Sequence, residues 1–326
     1  MTEAKNVINK CQQTFKEGME DDMEEFKRFV AENREKFNNM APKKLIKDFE
    51  ADNNKKAFET IIQFQQECKQ LRETEEEMQI GLEIFQMQSD KYEDLARVEK
   101  ENNSLLNIWN IKQEWDNNWK KWEVVNFYKL DMKEMEDVST DIQFKVSQLT
   151  KEEKKWHVTE HLNDRIYTFL NTIPLFTWLS DESMRDRHWK ELQLEIKEEF
   201  NWLDDDFNLA KVANLNLLQH EEKIEEITSH ARAQLKIEKS LDVIEKLWEE
   251  SPSTNLEIEV SYTKGSADQC YKVAQTENIV NLIEEHSGKL AEHKSSPFYK
   301  QFDDKIDLWE NNIAKITDTL EILTAV

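Results

Sequence analysis

The sequence predicts an all-α fold with one short β-hairpin, built as an elongated array of antiparallel helical bundles. Three observations support this prediction. The 326 residues include only four Gly and four Pro, far below the roughly 12% of average proteins, so tight turns and helix breaks are few. Apolar residues recur three and four positions apart over long stretches, and alternation with period two occurs in one place. Ten Trp and sixteen Phe supply the large apolar surface that a folded core needs.

The charge and composition limit which functions the chain can have. A net charge of −24 with no basic stripe argues against direct binding to nucleic acid or to an anionic membrane, and leaves basic partners open. The sequence has neither G-x-x-x-x-G-K-[ST] nor G-x-G-x-x-G, so we expect no nucleotide cofactor. Cys11, Cys68 and Cys270 lie far apart, which favours neither a disulfide framework nor a cysteine zinc site. With no apolar signal sequence at the start, we expect an intracellular protein.

The first third of the chain predicts three or more helices. Residues 1–40 carry a weak apolar seam that ends near Pro42, a plausible helix boundary. A stronger seam runs over residues 57–96, and we expect Gly81 and residues 84–87 to divide it into two helices. In the Trp-rich block at 108–125, the rings form either a stacking platform for a ligand or the core face of a helix. The neighbouring acids Glu114, Asp116 and Glu123 favour the core interpretation.

The rest of the chain predicts further helices and the hairpin. Residues 180–183 resemble a helix start, from which a helix runs to Phe200, and residues 215–248 predict another long helix. Alternation over 256–262 and 271–273 predicts the hairpin. Ser296-Pro297 predicts a helix with Pro at its first position, which keeps its rhythm to Val326 without a cap. We therefore expect the chain to be a piece of something longer.

Few residues suggest chemistry. His157 and His161 have the spacing of two zinc ligands but lack a third, and the run 204–206 lacks the glycine and spaced oxygens of a calcium loop, so non-metal roles are favoured. Composition alone predicts that the run Arg185-Asp186-Arg187-His188-Trp189 forms surface ion pairs beside a core Trp. The segments that surround this run in the sequence give it a second interpretation.

Three ordered segments over residues 164–326 resemble the linker region of dynein heavy chains, and residues 1–160 agree more loosely. The first segment joins an apolar Pro segment to an R-x-R-H-W helix start, the second is a long helix and the third is an S-P-[FY]-x-x-x-F and W-E helix. The signature positions, which we expect to have an interface or packing role, are Pro174, Arg185, Asp186, Arg187, His188, Trp189, Glu221, Trp248, Pro297, Phe302 and Trp309.

The resemblance implies a curved stack of helical bundles that arches over a ring of six AAA+ modules. The segment would then be a non-catalytic mechanical linker with no cofactor, catalytic residue or metal of its own. It would couple ATP-driven changes in the ring to movement along microtubules. The implied partners are the AAA+ ring of the same heavy chain, the dynein tail with its intermediate and light chains, and microtubules indirectly. The implied location is the cytoplasmic cytoskeleton and the axoneme of a cilium or flagellum.

The expected organisation follows the same resemblance. We expect a helical neck and N-terminal linker bundles over 1–160, central linker helices over 161–250, a β-hairpin over 251–276 and truncated C-terminal linker helices over 277–326. Joints are expected near 172–183 or 251–265. Two alternatives are a cytoskeletal rod of spectrin-like or coiled-coil type and a helical-bundle enzyme. The rod calls for an internal repeat of about one hundred residues, which the sequence lacks, and the enzyme calls for a nucleophile–base pair or ligand set.

Overall fold

The computed structural model describes residues 2–88, 92–250, 257–262, 269–274 and 276–324, and within them the predicted all-α class is confirmed. Two strands, β1 (Glu257–Tyr262) and β2 (Gln269–Ala274), accompany the helices. The α-helices of this described part are α1 (Thr2–Met40), α2 (Lys47–Ile84), α3 (Glu93–Trp122), α4 (Met132–Ser147), α5 (His157–Leu179), α6 (Asp186–Ile196), α7 (Leu209–Ala213), α8 (Glu221–Glu250), α9 (Thr276–Lys294) and α10 (Asp303–Thr324).

The helices fall into two compact units. The first unit comprises Met1–Thr177 and Leu203–Leu218, and the second comprises Trp178–Trp202 and Gln219–Val326. No helix in the part of the chain that the structure describes is both long and apolar enough to cross a lipid bilayer. The fourfold division expected from the sequence stays a prediction.

Helices α1, α2 and α3 form the first part of unit one. Edge-to-face aromatic pairs join α1 to its neighbours, with ring centroids 5.0 Å apart for Phe37 and Phe64 and 4.7 Å apart for Phe26 and Tyr92. Two helix ends lie where the sequence predicts them. Helix α1 ends at Met40, just before Pro42, and the long seam divides after Ile84, where Gln86 takes a left-handed φ of 53°.

The Trp-rich block belongs to the core, as the sequence predicts. Trp109, Trp115 and Trp122 of α3 are at most 6% exposed. The Trp109 indole donates a hydrogen bond to the Pro42 carbonyl oxygen at 2.9 Å. Phe169 of α5 packs against three tryptophan rings at centroid distances of 5.4–5.7 Å. Because aromatic pairs contribute beyond their buried area, this cluster helps to attach α5 to α3.

A buried polar network, which the sequence analysis did not predict, lies in unit one. Residues 52–54 interrupt α2 with a kink. Their φ angles of 52–65° are left-handed, which Asp and Asn tolerate better than most residues. Asn54, only 2% exposed, donates to Gln113 and Asp116 of α3. The buried Lys112 ammonium donates to the Asp116 carboxylate at 2.6 Å and to the Asn54 side-chain oxygen at 3.1 Å. Burial raises the pKa of Asp116, but the hydrogen bonds from Lys112 and Asn54 outweigh burial and leave the pKa below its usual value.

The second stretch of unit one returns to the first along a short backbone pairing. The Phe127 amide donates to the Phe207 carbonyl oxygen at 2.8 Å, and the Leu209 amide donates to the Val125 carbonyl oxygen at 3.2 Å. Asn208 then caps α7 by accepting the Lys211 amide at 3.1 Å. The chain segment before α7 is thereby fixed to the segment that follows α3.

Unit two is built on α8. Helices α8, α9 and α10 share one apolar core, and the strands pair antiparallel in a register that sets Ile258 opposite Val273 and Val260 opposite Tyr271. The predicted turn at 263–268 lies outside the described residues. The core members are Ile237, Leu241, Ile244, Ile279, Ile283, Leu290, Phe302, Ile306, Trp309, Ile313 and Leu320.

Three predicted helix starts in this region are wrong. The helix expected from 180–183 begins at Asp186, because the Asp181 carboxylate accepts the Ser183 amide in a local turn. The Ser296-Pro297 helix begins only at Asp303, because the Tyr299 amide bonds the Ser296 carbonyl and a 3-10 turn over Tyr299–Gln301 comes first. The long helix expected from 215 begins at Glu221, after the 3-10 turn Leu217–His220.

The polar network generates a stability prediction. Lys112→Met removes the buried ammonium that pairs with Asp116 at 2.6 Å and leaves the Arg165 guanidinium, at 3.3 Å, as the cation beside that carboxylate. Breaking a buried pair costs about 3–5 kcal/mol in the free energy of unfolding, and because Arg165 still compensates part of the charge, we expect a loss near the lower end of that range. Chemical denaturation followed by Trp fluorescence measures the loss. The matched variant Lys121→Met, at an exposed position of the same helix, should change the free energy little, and equal losses would contradict the role given to the network.

Candidate functional site

The start of α6 carries the R-D-R-H-W run that the sequence analysis singled out. Arg185 is the last residue before the helix, in an extended conformation. Its backbone N–H donates to the imidazole Nδ1 of His188 at 3.0 Å. His188, at the third position of the helix, therefore accepts the N–H of the residue before the helix, as Glu or Gln does in a capping box, and it holds the chain where α6 begins.

The same run binds α6 to α8 through two α8 side chains one turn apart. The Gln234 side-chain oxygen accepts from Arg187 Nε at 2.6 Å and lies 3.0 Å from His188 Nε2. The Arg185 guanidinium donates to the Glu238 carboxylate at 2.7 Å. Gln234 is 3% exposed and His188 is 2% exposed, so both polar groups are removed from water and need these partners.

These contacts define the protonation state of His188. Its Nδ1 accepts a hydrogen bond from a backbone N–H, and its Nε2 faces an amide oxygen, which fits a neutral ring with the proton on Nε2. Burial lowers the pKa of His188 below its usual value, and the nearby Arg187 and Arg185 charges lower it further, against the Gln234 hydrogen bond. A proton on Nδ1 would meet the Arg185 N–H, so protonation would break the helix start.

Arg187 brings together residues of all three sequence segments that resemble the dynein linker region. The Arg187 guanidinium carbon lies 5.7 Å from the centre of the Phe302 ring, just before α10, within the range of a cation–π contact. Arg187 therefore touches α8 and the start of α10 at once. We call Arg185, Arg187, His188, Gln234 and Phe302 the three-helix junction.

An aromatic cluster supports α6 from the other side. Trp189, 2% exposed, stacks on Trp202 with ring centroids 6.1 Å apart and planes 9° from parallel. The Trp202 indole donates to the Asp186 carboxylate at 3.1 Å. The segment after α6 is thus folded back onto the first turn of the helix.

The remaining signature residues do not join the junction. Trp248 donates to His286 Nδ1 at 2.8 Å and packs against the unit-two core, to which Trp309 also belongs. Pro174 in α5, Glu221 at the start of α8 and Pro297 before α10 are exposed. An interface role for these three residues stays a prediction.

Gln234 and Trp202 were not among the residues predicted from the sequence. Gln234 had a signal: it is the polar member of the α8 seam formed by Ile227, Ala231, Gln234, Ile237 and Leu241. A buried amide in an apolar seam marks a polar contact with a neighbouring helix. Trp202 follows a stretch without periodicity, and its partner Asp186 could not be identified from spacing.

The metal candidates have other roles. His157 Nδ1 accepts the Leu45 amide at 3.2 Å, and its ring stacks on His161 at 6.4 Å. Asp206 pairs with Lys211 at 2.6 Å. In the described ranges, no group of three or more His, Cys, Asp and Glu side chains is arranged to hold a metal ion.

Comparison with known proteins agrees with the resemblance. The family model "Dynein heavy chain, N-terminal region 2" matches residues 95–326. The chain is 28% identical to human dynein axonemal heavy chain 2 over 335 residues, which covers 100% of this chain and 7% of that protein. It is 30% identical to the Chlamydomonas reinhardtii dynein-1-beta heavy chain of the flagellar inner arm I1 complex over 270 residues, covering 83% of this chain and 6% of that protein. The chain therefore spans under a tenth of the length of these relatives.

The aromatic cluster predicts a stability difference. Trp189→Ala empties a closed site beside Trp202 and should reduce the free energy of unfolding by about 3–5 kcal/mol. Leu194→Ala removes a side chain of the same helix that is 79% exposed and should stay within about 0.5 kcal/mol. Denaturant titration of both variants checks this, and similar losses would show that the Trp189 site is not closed.

The buried neutral histidine predicts a pH dependence. Because the folded pKa of His188 lies below that of an exposed His, about 6.5, the unfolded chain binds more protons just below that pH. The His188 contribution to stability is therefore present above about pH 6.5 and is lost as the pH falls through the folded pKa. Between pH 7 and pH 5 the free energy of unfolding should fall less steeply in His188→Gln than in the unchanged protein. The difference in slope should correspond to the protons that one histidine binds. His161, His286 and His293 also have lowered pKa values, so part of the slope should remain. An unchanged slope would contradict a buried neutral ring.

Proposed function

The chain belongs to the dynein heavy chain family, and from that membership we propose that it is a mechanical linker segment, a lever arm that transmits force made elsewhere in the heavy chain. The segment carries out no catalytic step in this proposal. ATP is hydrolysed in an AAA+ ring of the same heavy chain, and the linker couples the resulting changes to movement along microtubules. A cytoskeletal rod is not favoured, since the family match covers residues 95–326.

The three-helix junction is the observation that supports this proposal best. A lever needs helices that keep their positions relative to one another under load, and long helices joined only by a thin apolar seam can slide. At the junction, α6 is hydrogen-bonded to two α8 side chains and contacts the start of α10 through one guanidinium group. Directional bonds of this kind fix register, which apolar contacts alone do not.

The proposed partners and location follow the family. We propose contacts with the AAA+ ring, with the tail of the heavy chain and its intermediate and light chains, and indirectly with microtubules. The names of the relatives are axonemal and flagellar in the human and Chlamydomonas proteins and cytoplasmic in the Dictyostelium discoideum protein. The two axonemal and flagellar relatives support an axonemal location for this chain.

Movement in a lever concentrates at joints, where few contacts cross. We propose joints near 172–183 and 251–265. The division between the compact units falls between Thr177 and Trp178, within the first of these segments. Residues 251–256 and 263–265 of the second lie outside the described residues. Comparing two nucleotide states of the whole motor tests the joints, and rigid superposition across both segments would reject them.

The function itself is tested in the full-length motor. Arg187→Ala removes the bond to Gln234 and the contact with Phe302, and should slow microtubule gliding severalfold while ATP hydrolysis continues, because force made in the ring is lost in a softer arm. Lys190→Ala, at an exposed position of α6, is the matched control. The two measurements are the gliding velocity and the microtubule-stimulated ATPase rate of the same preparation.

The outcome depends on how these two rates change together. Loss of both in the Arg187→Ala motor would show that the residue serves folding or the ring, and no change in either would show that the junction carries no load. Arg187→Lys keeps the charge but not the Nε donor, so gliding should recover only in part.

A further inference from the structure

An open groove lies between two helices of the first compact unit and has no role in the lever proposal. Its volume is about 770 Å³, and it lies beside the C-terminal half of α4 and the N-terminal half of α5. The residues that matter here are Thr140, Phe144 and Ser147 on α4 and Glu160, Asn163 and Asp164 on α5.

The lining residues follow helical spacing on both walls. On α4 they are four and three positions apart, and on α5 they are three and four positions from Glu160. Residues with this spacing share one face of a helix. The groove is therefore walled by two helix faces, which is the shape that accepts a third helix in peptide recognition.

Exposed aromatic rings stand along these two faces. Phe144, which lines the groove, is 61% exposed, and Tyr167, one turn beyond Asn163 on α5 and just outside the lining, is 59% exposed. Neither is needed for the core, because α4 buries a different face through Met135, Ile142 and Val146, and α5 buries a face that carries Leu162, Ile166 and Phe169. Large apolar side chains left in water on one surface mark a contact site for a partner.

The charge of the groove is negative. Glu160 and Asp164 form no ion pair within the described part of the chain, whereas the lining cation Lys154 donates to the Ser147 carbonyl oxygen at 2.6 Å and so is held at the end of α4. The net charge of −24 adds to this field. A second copy of the chain would bring like charge to the groove, which disfavours self-association there.

We propose that this groove binds a basic amphipathic helix of a partner protein. The apolar face of the helix lies against Phe144 and Tyr167, and its Lys and Arg side chains approach Glu160 and Asp164. The partner is defined by this chemistry: apolar residues at i, i+3, i+4 and i+7 with basic residues beside them. The proposal does not depend on the lever role and goes beyond it.

The test uses the full chain and a fluorescent Leu/Lys peptide of about four helical turns, with leucines on one face. Fluorescence anisotropy measures its affinity, and circular dichroism checks that each variant is folded. The peptide should bind, and Phe144→Ala should weaken binding about tenfold, the typical effect of removing a central aromatic anchor. Phe29→Ala, at an aromatic position of α1 that is 50% exposed, should leave the affinity unchanged.

The charge requirement is tested with a matched pair of double variants. Glu160→Lys with Asp164→Lys should weaken binding at least as much as Phe144→Ala. Asp21→Lys with Glu25→Lys makes the same change of net charge at exposed positions with the same spacing on α1, and should have a much smaller effect. A Leu/Glu peptide of the same pattern should not bind.

Three results would overturn the proposal. Absence of binding by the Leu/Lys peptide, equal losses in the groove variants and their controls, or equal affinity for the Leu/Glu peptide would each do so. Equal losses would mean attraction to the net charge of the chain, and equal affinity for both peptides would mean a contact without charge recognition. If Phe144→Ala is unfolded, Tyr167→Ala gives the same readout from the other wall.

Discussion

A chain with so much charge and so little apolar surface must hold its helices together with few, large side chains. The mean hydropathy is −0.83 and the hydrophobic share is 38%, so each helix has a narrow stripe for contact with its neighbours. Aromatic rings fill that role in both units. Phe169 alone meets three tryptophans in the first unit, and Trp189 with Trp202 closes the end of α6 in the second. Since one ring buries as much area as several small side chains, a thin seam can still exclude water.

Apolar packing excludes water but does not select one register between long helices, and each unit adds a buried polar contact at the point where helices meet. In the first unit, Lys112 and Asp116 of α3 bind Asn54. In the second, His188 and Arg187 of α6 bind Gln234 of α8. A helix shifted by one turn would leave the buried members of these contacts, Asn54, Lys112, His188 and Gln234, unpaired away from water, at a cost that apolar side chains do not impose. The polar contacts therefore specify position, and the apolar packing to which the rings belong supplies stabilisation.

Periodicity predicted the helices well because it reports burial along one element. For the Trp block, the neighbouring acids Glu114, Asp116 and Glu123 favoured the core over a ligand platform, and the rings are buried. Helix starts were harder. His188 accepting the Arg185 amide is not a pattern of the usual capping residues. The helices expected from residues 180–183 and from Ser296-Pro297 begin only at Asp186 and Asp303. The resemblance identified Arg187 and Phe302 as signature residues, yet only the coordinates show that they meet. Spacing along one chain segment cannot reveal a contact between distant segments. The sequence therefore named Arg185, Arg187, His188 and Phe302, but neither Gln234 nor the contacts among these residues.

The scarcity of glycine has a mechanical consequence of its own. Within the residues that the structure describes, left-handed backbone is taken by Asp52, Asn53, Asn54, Gln86, Lys197 and Asn216. A non-glycine residue at positive φ is strained, so it holds that conformation only where surrounding contacts impose it. Asn54 is an example, since its side-chain nitrogen and its side-chain oxygen are both hydrogen-bonded to residues of α3. A turn built on glycine changes conformation easily, whereas the turn at Asn54 can change only when these hydrogen bonds break. For an arm proposed to carry force, bending is then restricted to the segments that lack such bonds.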